Sequence, residues 1–145
     1  MYRFVLIFVL LLLSAAPSFA GKEETVSDLV KKAEAARVED RPGLYLRAAD
    51  LRLKDADQLY TAGKSDEAGA AVNDVVEYSQ KAVDAATKTG KKLKNAEITI
   101  RKIAARLADI KRTLTFEDQA PVQEAIDRLQ HMRTDLLARM FGSKE

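Results

Sequence analysis

The chain has 145 residues, 24 basic and 22 acidic, and a net charge of +2, which excludes a nucleic-acid binder that is basic over its whole surface. It contains no cysteine, so disulfides and a cysteine nucleophile are both excluded. Ala, Leu and the four charged residue types dominate, no segment alternates as a strand does, and an all-α fold is expected.

The first twenty residues, MYRFVLIFVLLLLSAAPSFA, hold one Arg and then ten unbroken apolar residues from Phe4 to Leu13. Small residues at Ser18 and Ala20 precede the polar run Gly21, Lys22, Glu23, Glu24. The apolar run is short for a bilayer span, and Ser18 and Ala20 suit the narrow pocket of a signal peptidase. Residues 1–20 are therefore expected to be a signal peptide cleaved between Ala20 and Gly21, leaving 21–145 as a single helical domain in the periplasm or outside the cell. An uncleaved anchor would have to span from Phe4 to Ala20 despite Pro17. Without disulfides, the exported domain depends on its own hydrophobic core, which about 125 residues can supply.

The first helix is predicted over 26–38, with Thr25 or Ser27 as cap and Asp28 in the first turn, where the helix dipole favours an anion. Its apolar stripe is Val26, Leu29, Val30, Ala33 and Ala36. Asp40 to Gly43 then interrupts the pattern. A second helix over 44–62 carries the stripe Leu46, Ala49, Leu53, Ala56, Tyr60, with Leu44, Ala48 and Leu51 on another side, the pattern of a helix packed between neighbours. Gly63 can take the left-handed conformation that ends it. Ser65 can cap a third helix over 66–89, which turns Ala68, Val72, Val75, Ser79, Ala82 and Ala86 inward.

Gly90 is expected to break the chain before a fourth helix over 91–114, although the stripe keeps phase across it and a continuous rod is the alternative. In this fourth helix Leu93, Ala96, Ile100, Ile103, Leu107, Ile110 and Leu114 alternate three and four residues apart, a seam of coiled-coil type. The seam suits the core of a bundle or, alternatively, a homodimer through Leu93–Leu114. A fifth helix over 119–141 is capped by Asp118, has Pro121 in its first turn and ends at Gly142. Its stripe is Val122, Ala125, Ile126, Leu129, Met132, Leu136 and Met140, with Leu137 and Phe141 beside it. Together these make a bundle of four to five antiparallel helices.

The stretch TAGKSDEA joins the second and third helices. Gly63 at the end of one helix, Ala68 five positions on, the small Ala56 and the bulky Leu59 resemble a tetratricopeptide hairpin over Leu44 to Ala86. The resemblance implies a partner-binding hairpin. Arg52 and Asp55 depart from it, standing where that family carries large apolar residues, and no glycine stands near Glu97 where a second copy would put one. Repeat modules need neighbours to stack on, so a plain hairpin turn is the simpler reading.

Catalytic and metal signals are thin. The one histidine, His131, falls about 200° round its helix from Leu129 and should be exposed. A haem would need a second axial group facing it, yet Met132 points elsewhere and Met140 is on the same helix. The nearest preceding glutamate is Glu124, so the Glu-x-x-His pattern of helical di-metal sites is missing. No glycine-rich phosphate loop is present. No catalytic, cofactor or metal residue is assigned, and no cofactor is expected.

The charge pattern is more informative. Lys91 to Leu114 holds eight basic and two acidic residues. Lys94, Arg101 and Arg112 fall within about 20° of one another on the side away from the seam, with Ile98, Ala105 and Ala108 nearby. They form a candidate docking stripe for an acidic protein partner or an anionic membrane surface. The alternative is a solvated face whose charge is offset by neighbours such as Glu117 to Arg139, which holds five acidic and three basic residues. The expected function is that of a small exported interaction or scaffold protein without catalysis. The alternatives are a bundle that binds a small or lipidic ligand between its helices and a single degenerate tetratricopeptide-like hairpin.

Overall fold

The computed structural model describes residues 23–142, so the expected signal peptide and its cleavage point lie outside the described residues. These fold into five α-helices, α1 (Val26–Ala35), α2 (Arg41–Thr61), α3 (Ser65–Thr89), α4 (Leu93–Arg112) and α5 (Phe116–Phe141), with one 3-10 turn at Val38–Asp40 and no strand among the described residues. None of these helices is long and apolar enough to cross a membrane.

The helix ends follow local chemistry, in places differently from the sequence expectation. Thr25 caps α1 in a reciprocal box: its hydroxyl accepts from the Asp28 amide, and the Asp28 carboxylate accepts from the Thr25 amide. The helix stops short of the expected Val38 because Ala36 is already extended. The stretch Asp40 to Gly43, read as a break, contains the start of α2. Pro42 sits in the first turn, where a missing N–H needs no acceptor, and Gly43 is carried within the helix.

Gly63 is left-handed, with φ 76°, and ends α2 as expected. Ser65 does not cap α3. It is the first helical residue, and its hydroxyl donates to Asp118 at 2.9 Å. Asp118 in turn does not cap α5; the helix begins two residues earlier, and Asp118 also accepts from the Thr115 hydroxyl at 3.1 Å. Pro121 thus lies inside α5 rather than in its first turn. The carbonyl that loses its helical donor belongs to exposed Glu117, where water can serve it.

Between α3 and α4 the chain breaks. Gly90 (φ 69°) and Lys92 (φ 64°) are both left-handed, and no helix passes through two such residues. The α2–α3 and α4–α5 pairs are antiparallel hairpins with the two largest interfaces. The hairpins stack with α3 against α5 and α2 against α4, and α1 lies along α2. Because chain direction alternates, α2 and α4 run parallel, as do α3 and α5. This arrangement explains the two apolar sides of α2, which meets α1, α3 and α4.

The coiled-coil-type seam of α4 is core within a single chain. Ala96, Ile100, Ile103, Leu107 and Ile110 are buried, and Leu93 and Leu114 are half-buried at the ends. A homodimer through Leu93–Leu114 would therefore require the bundle to open. Alanines at 48, 49, 56, 68, 71, 82 and 86 are fully enclosed, which lets α2 and α3 approach closely.

The Ser79 hydroxyl is buried in this core with no hydrogen-bond partner among the described residues. An enclosed hydroxyl without a partner is destabilising by about 1–3 kcal/mol. We expect Ser79→Ala to raise the melting temperature, by a few degrees in a thermal scan; an equal or lower value would mean that the hydroxyl has a partner in solution.

The tetratricopeptide-like departures also find their reason in the packing. The Arg52 guanidinium bridges α2 and α3, donating from Nε to Asp74 at 2.9 Å and from Nη1 to Asp55 at 3.0 Å, with Nη2 also within 2.9 Å of the Asp74 carboxylate. Its pKa is raised. Partial burial works against the charge, but the hydrogen bonds and charges of Asp55 and Asp74 outweigh it. Where the repeat family packs apolar side chains, this hairpin carries a half-buried ion-pair triad.

Candidate interaction face on the fourth helix

The seam of α4 decides what its other side does. With Ile100 and Leu107 turned into the core, a helix advancing about 100° per residue must turn Lys94, Arg101 and Arg112 outward. All three are exposed, Ala105 is exposed beside them, and Ile98 and Ala108 are half-buried.

Their partners differ. Arg112 is held by Asp109 one turn back, at 2.9 Å. Lys94 and Arg101 have no ion pair among the described residues, and neither does exposed Lys102. Of the other cations of this segment, exposed Lys92 has no ion pair among the described residues either, whereas three are tied into the bundle: Lys91 to Glu39 at 2.9 Å, Arg106 to Asp57 at 3.8 Å, and Lys111 to the side-chain Oε1 of Gln123 at 2.6 Å. No cation of α4 pairs directly with a carboxylate of α5 among the described residues.

The ion pair between these helices among the described residues runs the other way. Arg133 of α5 donates from Nε (3.0 Å) and Nη2 (2.8 Å) to Oε1 of Glu97 on α4. Glu97 is only 7% exposed. Neither residue carries a motif that marks it in the sequence. Glu97 directly follows seam residue Ala96 and Arg133 directly follows Met132, so each lies at the edge of an apolar stripe. That position was the available signal; which charges would meet there depended on the register of α4 against α5.

His131 is exposed, as its helix phase indicated, Met132 is buried, and Glu124 is exposed on the same helix. Among the described residues no group of three His, Cys, Asp or Glu side chains is arranged to hold a metal ion.

A separate groove of about 860 Å³ lies between the start of α1, α2 and the first turns of α4. Leu29, Leu46, Leu51 and Ala96 line it, with Glu24, Glu39 and Asp50 among its charged groups. Each of those carboxylates is paired: Glu24 with Lys32 and Arg47, Glu39 with Arg37 and Lys91, Asp50 with Lys54. The hydrogen bond from Lys32, ahead of the charge of Arg47, holds the Glu24 carboxyl below the usual carboxylate range, and the hydrogen bond from Lys91 does the same for Glu39. None of Lys94, Arg101 and Arg112 lines this groove.

Compared with protein families, curated proteins and solved structures, the chain matches none. The likeness of Leu44–Ala86 to a tetratricopeptide hairpin rests on the quoted residues alone.

Proposed function

We propose that this protein is a small exported interaction module without catalysis of its own, and that it docks an acidic partner on the outer face of α4. The observation that carries this reading is the pair Lys94 and Arg101. Both are exposed and without a carboxylate partner among the described residues, as is Lys102, whereas Arg106 and Lys111 of the same helix are engaged by α2 and α5 and Arg112 by Asp109. Exposed charges contribute little to folding, typically under about 1 kcal/mol each. They matter more for association, where complementary charge speeds encounter.

The triple variant Lys94→Glu, Arg101→Glu, Arg112→Glu should therefore melt within a few degrees of the wild type and lose capture of its partner from an envelope extract. Wild-type capture should weaken as salt rises. Unchanged capture by the folded variant overturns the reading, because the stripe is then only a solvated face. A second reading, a bundle that binds a small or lipidic ligand, is favoured by the apolar floor of the groove between α1, α2 and α4. Glu24, Glu39 and Asp50 in that groove are paired, and its charges unpaired among the described residues, Glu23 and Lys92, are of opposite sign, so the α4 face, with Lys94 and Arg101 of one sign, is the better site for an acidic partner.

A further inference from the structure

The large exposed apolar side chains are not scattered. Phe116 (89% exposed) and Phe141 (77%) are the first and last residues of α5, and Leu137 (37%) stands one turn before Phe141. From Phe116 to Phe141 is about seven turns at 3.6 residues each, so the two rings leave α5 within about 20° of each other. From Lys94 to Arg112 is about five turns, and Arg101 lies within about 20° of that line. Each helix thus presents one straight row.

The Glu97–Arg133 pair sets how the two rows face. Lys94 and Arg101 stand one turn before and one turn after Glu97, on the outward side of α4. Leu137 and Phe141 stand one and two turns after Arg133, on the outward side of α5. Both rows therefore leave the same side of the α4–α5 layer. Cations lie along one helix and phenylalanines at the two ends of the other, over about 37 Å at 1.5 Å per residue. Between the phenylalanines the α5 row is polar, with exposed Gln130, Thr134 and Asp127. The described concavities include none of Lys94, Arg101, Arg112, Phe116, Leu137 or Phe141.

We propose that this face docks on an anionic lipid bilayer, with Lys94, Arg101 and Arg112 against headgroup phosphates and Phe116 and Phe141 entering the acyl boundary. The inference rests on the reading of the α4 face as a docking surface and names its partner. Peptide and helix recognition seats apolar anchors in a groove. Here the apolar groups project from a face without one, in two places far apart, with cations alongside. A flat, fluid surface that is negative throughout satisfies both ends and the charges together. Asp127, midway along α5, and Asp109, exposed beside Arg112 on α4, disfavour close approach where they stand and leave the strongest contact to Lys94, Arg101 and the two ends of α5.

The test is cosedimentation of the mature chain at low salt with vesicles of phosphatidylcholine alone and of phosphatidylcholine with about 30% phosphatidylglycerol, a composition at which a few cations and an apolar anchor give measurable binding. Binding is expected only to the anionic vesicles, and it should fall as salt rises. The double variant Phe116→Ser, Phe141→Ser should lower partitioning about tenfold with an unchanged melting temperature. The triple glutamate variant should abolish it. Since the chain has no tryptophan, Phe141→Trp provides a single reporter, whose emission should shift to the blue only with anionic vesicles. No binding to anionic vesicles, equal binding to both compositions, or binding indifferent to the loss of both phenylalanines overturns the membrane inference. In those cases the docking reading still stands if envelope capture depends on Lys94, Arg101 and Arg112, and it falls separately if the triple variant captures the same partner.

Discussion

Leu107→Ala destabilises the protein by about 2–5 kcal/mol, the range for removing a fully buried leucine side chain whose surroundings relax only in part. Leu107 is fully buried, and it belongs to one continuous core that includes Ile100, Ile103, Leu129 and Leu136. It lies midway along α4, so the cavity is flanked on both sides by other seam residues rather than opening at a helix end. Chemical denaturation of the mature chain measures the effect. Because α4 packs against both α2 and α5, the loss should appear in a single cooperative transition. A change below about 1 kcal/mol would mean that the seam is not core in solution, and a bundle that opens to pair through Leu93–Leu114 would then be the better description.

Removing Arg133 has the second largest expected effect. Arg133→Met keeps the length of the stem but strips Glu97 of both charge-assisted hydrogen bonds. Hydrogen bonds to charged groups contribute about 1.5–3 kcal/mol, and leaving the acceptor buried without a partner adds to the loss. The Arg133 side chain is 23% exposed and that of Glu97 only 9%. Water therefore screens part of the interaction, and the expected loss is about 2 kcal/mol rather than the larger figure for fully enclosed pairs. The double variant Glu97→Leu, Arg133→Leu should recover more than half of that loss in the same denaturation experiment, because apolar replacement of both partners removes the stranded charge. A double variant no better than the single one would mean that the pair holds the register of α4 on α5 in a way packing cannot replace.

These two residues separate what the sequence determined from what the tertiary structure decided. Leu107 was legible at once. A helix repeats every 3.6 residues, so a stripe spaced three and four marks the buried side by local geometry alone, and the opposite side, with Lys94, Arg101 and Arg112, follows from the same arithmetic. The all-helical class, the two-sided burial of α2, the left-handed Gly63 and the outward His131 were readable for the same reason, since each depends on residues within a few turns of one another. Helix ends were less so. Pro42 and Asp118 are acceptable at several positions near a helix start, and contacts from other elements helped choose among them, as when Ser65 of α3 turned to the carboxylate of Asp118.

Local pairs such as Asp109 with Arg112 lie within one helix turn, but the charge partners that cross between helices belonged to the tertiary structure. That Glu97 would be buried under Arg133, that Arg52 would bridge Asp55 and Asp74, and that the rows on α4 and α5 would leave one face together depend on how hairpins of matching periodicity slide and rotate against each other. Apolar stripes tolerate several such registers. The packing of Ile100, Leu107, Leu129 and Leu136 across the interface selects one, and only then does each exposed side chain acquire its neighbours.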